Sequence, residues 1–139
     1  MKLTETEIEI LIKYLPEDKI NDILNFQKII DYVCEKFNLT EDQLSSSARS
    51  GVLPYVRMIL VALSIKIFDP YKFEDNVFKP FKSKISNGIS GMISIAVKKS
   101  YTMPRYYLTK LREYLETKQL DIKILETMER EILNRFEYK

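Results

Sequence analysis

Residues 39–68 constrain the fold more than any other part of the chain, because they contain two separate helix-start signals. Thr40 is followed three residues later by Gln43, the spacing of a capping box in which each side chain bonds the other residue's backbone. Ser50 can cap a second helix, and Pro54 then falls in the first turn, where a missing N–H costs little. The sequence therefore predicts a short helix after Thr40, a polar break, and a second helix.

The second helix is predicted to be buried, because apolar residues occupy nearly all of its positions. Those at helical spacing are Val56, Ile59, Leu60, Leu63 and Ile67. The longest strongly apolar run, Met58–Ile65, is far shorter than the ~20 residues that span a bilayer, so we expect no membrane segment. Arg57 is a basic exception, one turn into this apolar helix.

Composition favours helices and excludes several kinds of site. The chain has 139 residues, enough for one domain with a real core, and only three Gly and five Pro. With one Cys and no His it can form no intrachain disulfide, no His-containing zinc site and no Ser-His-Asp triad. We therefore expect no enzyme, no metal and no cofactor, and we interpret Cys34 as a small apolar residue of the core.

Further helices are predicted on both sides of this region. They cover Glu5–Leu15, a segment from Pro16 to Phe37 with a new cap at Asn25, Met103–Thr117 after a Thr102 cap, and Asp121–Phe136. The last one carries an apolar stripe made of Ile124, Leu125, Met128, Ile132 and Phe136. That stripe either closes the core or binds a second copy of the chain or a partner protein.

The segments between Phe68 and Thr102 are less determined. Asp69 and Pro70 end the buried helix, and the aromatic residues that follow predict a loop or short turns over the core, with stacking on nucleic-acid bases as an alternative. Residues 78–97 contain the turn signal Asn87-Gly88, so a short hairpin is one interpretation. A short helix from about Ser90 to Lys99 is the other.

The basic side chains are concentrated in one segment. Residues 77–112, the acid-free segment, contain eight Lys or Arg and no Asp or Glu, whereas the whole chain has a net charge of only +2. Such a stretch of one sign between acidic flanks indicates a surface that faces a polyanion. A basic face that meets only water, or an acidic part of the same chain, is the alternative.

The helix predicted at Met103–Thr117 has the features of a DNA-reading helix. A helix-turn-helix places its second helix in the major groove, with the N-terminal side chains on base edges. Thr102, Arg105 and Thr109 have suitable chemistry and position for this role. Lys98, Lys99 and Lys110 flank them and are predicted to contact phosphates.

An ungapped pattern over about Ile29–Phe68 resembles a known family. Its matching positions are Ile29-Ile30, Val33, Phe37, Leu39-Thr40, Leu44, the loop Ser45 to Arg49, and Arg57-Met58-Ile59. In these residues the chain resembles the C-terminal DNA-binding domain of the bacterial replication initiator DnaA. The resemblance implies that Arg57 enters a minor groove and that Arg49 contacts the DNA backbone.

The chain also departs from that family. The segment YTMPRYY, where the family carries its recognition signature, lacks the Asp-His pair, and no phosphate-binding G-x-x-x-x-G-K-[ST] motif of the initiator's ATPase occurs. If the helix after Thr102 reads DNA, it uses other contacts than the family does.

These observations predict an all-α fold, a compact bundle of about six helices with a helix-turn-helix-like unit. We expect one domain over residues 1–139, with a helical extension over 1–28, an initiator-like core over 29–117 and a C-terminal amphipathic helix over 118–139. The predicted function is binding of double-stranded DNA by a phage or mobile-element protein in the bacterial cytoplasm. The alternative is a structural or interaction protein that keeps the helical scaffold without binding DNA.

Overall fold

The structure, a computed structural model, describes Thr6 and residues 17–46, 51–79 and 103–137. Helices in these ranges are α1 (Glu17–Phe37), α2 (Glu41–Ser45), α3 (Leu53–Phe68), α4 (Pro70–Val77), α5 (Met103–Glu116) and α6 (Ile122–Glu137). No strand occurs in the ranges described, and the prediction of an all-α bundle of about six helices is confirmed. The helix predicted at Glu5–Leu15, apart from Thr6, and the hairpin or helix predicted after Lys79 lie outside them.

The centre of the bundle is α3, as its apolar sequence predicts. Every residue from Val56 to Ile65 is buried, and α1, α4, α5 and α6 all pack against this helix. Pro54 lies in its first turn as expected, but the helix begins at Leu53 with Val52 at the N-cap and no side-chain cap. The predicted cap at Ser50 is therefore wrong; Gly51, whose φ of +66° suits glycine, provides the turn instead.

Helix α1 runs without interruption from Glu17 to Phe37, so the predicted new cap at Asn25 is wrong. Asn25 stays within the helix, and the apolar face continues through it into Phe26, Ile29, Ile30 and Val33, all of which are buried. The helix ends in a left-handed turn at Asn38, with φ of +55°. The N–H of Leu39 donates to the Cys34 carbonyl at 2.9 Å, which is the six-residue bond of a Schellman motif.

The short helix α2 begins with the predicted capping box. The Thr40 N–H donates to Gln43 Oε1 at 2.8 Å, and the Gln43 N–H donates to Thr40 Oγ1 at 3.1 Å. Leu44 is fully buried, and Leu39 packs against the core. A five-residue helix is unstable in isolation, so its stability depends on these caps and on burial of Leu44.

Residues 70–77 form helix α4, where the sequence predicted a loop or short turns. Asp69 ends α3 and at the same time caps α4, since its carboxylate accepts a bond from the Lys72 N–H at 3.3 Å. Pro70 occupies the first helical position, which suits proline. Phe73 and Val77 point into the core, so the prediction that this segment packs over the core holds although its conformation differs.

Helices α5 and α6 end within one residue of the predicted positions. Leu108 and Leu111 of α5 are buried, as are Leu125, Met128 and Ile132 of α6. The apolar stripe of α6 therefore closes the core of its own chain, which is the first of the two alternatives. Ile124, at the N-terminal end of the same stripe, is 45 % exposed, and a contact of α6 with a second copy or a partner protein stays a prediction.

A hydrogen bond and an ion pair connect the C-terminal part of α6 to α1. The Tyr32 hydroxyl donates to Glu131 Oε2 at 2.7 Å, and Arg135 Nη2 lies 2.7 Å from Glu35 Oε2. The Arg135 guanidinium also lies 5.1 Å from the centre of the Tyr32 ring. Burial raises the pKa of Tyr32, and the bond to Glu131 raises it further, so the hydroxyl stays protonated.

Candidate nucleic-acid interface

Arg57, the predicted minor-groove residue, lies inside the protein. Its side chain is 1 % exposed and reaches from α3 to the C-terminal end of α2. There Nε donates to the Leu44 carbonyl at 2.8 Å and Nη2 to the Ser46 carbonyl at 2.7 Å. These are carbonyls that a helix end leaves without an intrahelical partner.

The minor-groove assignment of Arg57 is therefore corrected. A side chain that is 1 % exposed and bonded to backbone carbonyls cannot enter a DNA groove without leaving the core. Its positive charge faces the negative end of the α2 dipole, which favours a cation. Arg57 is a structural residue that completes α2 and fixes it to α3.

The acid-free segment is described at its two ends. Lys79 follows α4, whereas Lys110 and Arg112 lie in α5, and these two helices pack against each other. Arg112 Nη1 donates to the Lys79 carbonyl at 2.6 Å, although the two residues are 33 positions apart. The structure thus brings the first and the last basic residue of the segment into contact.

Each of these basic side chains is paired with a carboxylate from the border of the segment. Lys79 Nζ lies 2.8 Å from Asp75 Oδ1, and the bond to Asp75 raises the pKa of Lys79. The Lys110 pair with Glu113 measures 3.5 Å, and the Arg112 pair with Glu116 measures 3.1 Å. The acidic residues that border the segment therefore offset charge at both of its ends.

Two further predicted site residues have described side chains. Thr109 is half-buried, and Lys110, also half-buried, places its ammonium 5.7 Å from the centre of the Tyr106 ring. Arg105 lies in the first turns of α5, but its side chain is outside the described set. Arg49, Lys98, Lys99 and Thr102 are outside the described residues altogether. Of the eight predicted DNA contacts, Arg57 is thus the one that the structure corrects.

The remaining chemistry on the described residues is limited. Cys34 is 8 % exposed, and burial raises the pKa of its thiol to about 11, in keeping with a core residue. Among the described residues, no three acidic or cysteine side chains come close enough together to bind a metal ion. None of the described helices is long and apolar enough to cross a membrane.

Sequence reasoning missed the role of Arg112 as a tether between α4 and α5. The sequence shows only its place on the outer side of the helix, because its acceptor is a backbone carbonyl 33 residues away. Glu116, four residues on, could have been found, since an i, i+4 pair is readable from spacing alone. The ion pairs of Lys79 and Lys110 carry the same local signal.

Comparison with known proteins adds no further identification. No protein-family model matches the chain, and no match was found among curated proteins or solved structures.

Proposed function

We propose that this chain is a non-enzymatic protein that binds double-stranded DNA, chiefly through phosphate contacts made by the acid-free segment. The observation that carries the proposal is the charge of that segment, eight basic side chains without one carboxylate between Asp75 and Glu113. A stretch of one sign attracts a polyanion and releases counterions when it neutralises phosphates.

The contact between Arg112 and Lys79 supports a single binding surface. It joins the two described ends of the acid-free segment, so charges that are distant in sequence are anchored to the same pair of helices. If these charges lay on opposite sides of the protein, fewer of them could approach one rigid duplex at the same time, and the attraction to DNA would be weaker. Arg105 and Thr109 of α5 are the proposed base-edge contacts, and Lys98 and Lys99 the proposed phosphate contacts.

The resemblance of residues 29–68 to the initiator's DNA-binding domain also supports the proposal. The capping box of α2 and the buried helix α3 are two features on which that resemblance rests. With Arg57 serving as a core residue, Arg49 is the proposed backbone contact from this part of the chain. The proposal therefore relies on phosphate contacts and not on minor-groove insertion.

A gel-shift titration with random-sequence duplex DNA tests the proposal. We expect sub-micromolar binding at ~50 mM salt and a loss of affinity of roughly a thousandfold at ~200 mM, as for proteins with about six phosphate contacts. Absence of binding at the lower salt concentration would refute it.

Paired substitutions test which residues make the contacts. Replacement of both Lys98 and Lys99 by Ala should reduce the salt slope by about two units, roughly one for each phosphate contact. Lys36 on α1 and Lys123 on α6 are both exposed and provide a control with the same loss of charge, and replacement of both by Ala should leave the slope unchanged. If the control reduces the salt slope as much as the replacement of Lys98 and Lys99, the effect is one of overall charge, and Lys98 and Lys99 are not specific phosphate contacts.

A protein-interaction function is the second candidate, and one observation favours it. Tyr71 of α4 is 82 % exposed, and Phe78, which follows the last residue of that helix, is 49 % exposed. Aromatic side chains on a protein surface are enriched at interfaces with other proteins. If the gel shift shows no binding at low salt, this candidate replaces the first.

A further inference from the structure

We infer that Asp75, Glu113 and Glu116 attenuate the binding of polyanions by holding the terminal cations of the acid-free segment in ion pairs. The inference rests on the proposed function, because it concerns the acid-free segment that is proposed to bind DNA. It assigns a role to three carboxylates that would otherwise be interpreted as ordinary surface residues.

The placement of these carboxylates in sequence and in space carries the inference. They are acidic residues that border the acid-free segment, one before it and two after it. Each pairs with a cation inside the segment that is three or four residues away in sequence, namely Lys79, Lys110 or Arg112. In the described part of the segment, every side chain whose cation is placed has one of these partners.

The exposure of the pairs explains why they attenuate binding and do not abolish it. The side chains of Lys79 and Lys110 are 54 % and 43 % exposed, so a phosphate can approach them from solvent. An exposed ion pair is weak, and phosphate can displace the carboxylate at a cost of about two- to fivefold in affinity per pair. The carboxylate that is displaced also repels the phosphate that replaces it.

Arg112 differs from the two lysines because it has a second partner. Nε bonds Glu116, while Nη1 donates to the Lys79 carbonyl, and the side chain is 29 % exposed. Loss of Glu116 leaves the tether to Lys79 in place and removes only the neighbouring negative charge. Glu116→Gln is therefore expected to raise affinity without separating α4 from α5.

The test compares Asp75→Asn, Glu113→Gln and Glu116→Gln with Glu126→Gln in the full-length chain. Glu126 is exposed on α6, which packs on α1 and α3, so it supplies the same change of charge at another part of the bundle. Affinity for random duplex DNA is measured at ~100 mM salt, where the screening length is about 10 Å. Thermal unfolding of each variant shows whether the fold is intact.

We expect each of the three border variants to bind DNA about two- to fivefold more tightly than the parent chain. Glu126→Gln should change affinity by less than about 1.5-fold, since its charge is screened. Border variants that gain no more than Glu126→Gln would overturn the inference while the proposed function stands. A parent chain and border variants that all fail to bind at low salt would overturn both.

A double substitution separates a specific pair from a general effect of charge. Lys110→Ala should reduce affinity more in the Glu113→Gln background than in the parent chain, because Lys110 is then released to contact phosphate. In the Glu126→Gln background the effect of Lys110→Ala should equal that in the parent. Equal effects in all three backgrounds would show that Glu113 does not restrain Lys110.

Discussion

Replacement of Arg57 by Met is the sharpest test of the structure, because a buried role and a DNA-contacting role predict different outcomes. The change keeps an apolar stem of similar reach and removes every hydrogen-bond donor. It leaves the carbonyls of Leu44 and Ser46, now bonded at 2.8 and 2.7 Å, without their arginine partner. The buried role therefore predicts a large loss of stability, and the DNA role predicts none.

The size of that loss follows from the two short bonds. Hydrogen bonds to a charged group contribute roughly 1.5–3 kcal/mol each, and a buried acceptor left unsatisfied costs about 1–3 kcal/mol. Arg57→Met no longer has to desolvate a guanidinium, which offsets part of this. We expect a net decrease of about 3–5 kcal/mol in the free energy of unfolding, a large share of the ~5–15 kcal/mol of a typical domain.

Urea unfolding followed by far-UV circular dichroism measures the effect. With a urea dependence of about 1.5 kcal/mol per molar, the midpoint should fall by about 2–3 M. Arg57→Lys retains the charge but not the planar fork, so its midpoint should lie between those of Arg57→Met and the parent. Should Arg57→Met prove too unstable to purify, the lysine variant still reports the loss of the second bond.

Arg130, which is exposed on α6, supplies the control. Arg130→Met should change the free energy of unfolding by less than about 0.5 kcal/mol, as surface substitutions usually do. The reasoning is refuted if Arg57→Met unfolds at the same urea concentration as Arg130→Met. A loss of DNA affinity at unchanged stability would instead restore the contact role.

Three further predictions concern the C-terminal half of the bundle and its attachment to α1. Lys118 has φ of +61°, a conformation that glycine adopts at no steric cost. Lys118→Gly should therefore raise the free energy of unfolding, measured by urea titration, by about 0.5–1 kcal/mol. A decrease would show that the turn is not strained. Tyr32→Phe removes the bond to Glu131 and should lower the free energy of unfolding by about 1 kcal/mol. Adding Glu131→Gln to this variant should cause no further loss of stability. The hydrogen bond from Arg135 lowers the pKa of Glu35 below its ordinary value of 4.5. The stabilisation of the fold by this pair is therefore complete above pH 4.5 and disappears as pH falls through the lowered pKa. The stability difference between the parent chain and Glu35→Gln, measured by thermal unfolding from pH 7 downward, should therefore close at acid pH; a difference that persists there would contradict the pair.

The main elements of the fold could be predicted because their signals are local. The capping box of Thr40 and Gln43 and the apolar helix α3 depend on residues within a few positions of one another. The same is true of the stripe on α6. A local signal can nevertheless have two meanings, as Asp69 shows: the residue ends one helix and caps the next, and sequence reasoning recognised only the first role.

The role of Arg57 could not be predicted, because its partners are backbone groups. The sequence shows a cation in an apolar helix, a pattern that fits both a contact to phosphate and a buried bond to carbonyl oxygen. Which of the two roles Arg57 has depends on how α2 packs against α3. Its acceptors are backbone carbonyls, which every residue has, so the sequence pattern does not reveal them. The tether from Arg112 to Lys79 was hidden for the same reason.

Because arginine and lysine also serve these internal roles, the number of basic residues overestimates the charge that is available to DNA. Nine cations were candidates, the eight of the acid-free segment and Arg49. Three of the eight, Lys79, Lys110 and Arg112, are held by carboxylates. Each carboxylate that a phosphate displaces takes up a cation from solution, which offsets the counterion that the phosphate releases, so about six cations count fully in the salt dependence. At about 0.9 units per contact, the slope of log affinity against log salt should be close to −5, whereas nine contacts would give about −8.

Titration over at least four salt concentrations distinguishes these two values. A slope near −8 would mean that the paired cations reach phosphates as readily as the others, and the carboxylates would then have no attenuating role. In the variant that combines Asp75→Asn, Glu113→Gln and Glu116→Gln, the slope should steepen toward −8, because three cations are released. A slope that stays near −5 in this variant would show that geometry, and not pairing, keeps Lys79, Lys110 and Arg112 away from the duplex.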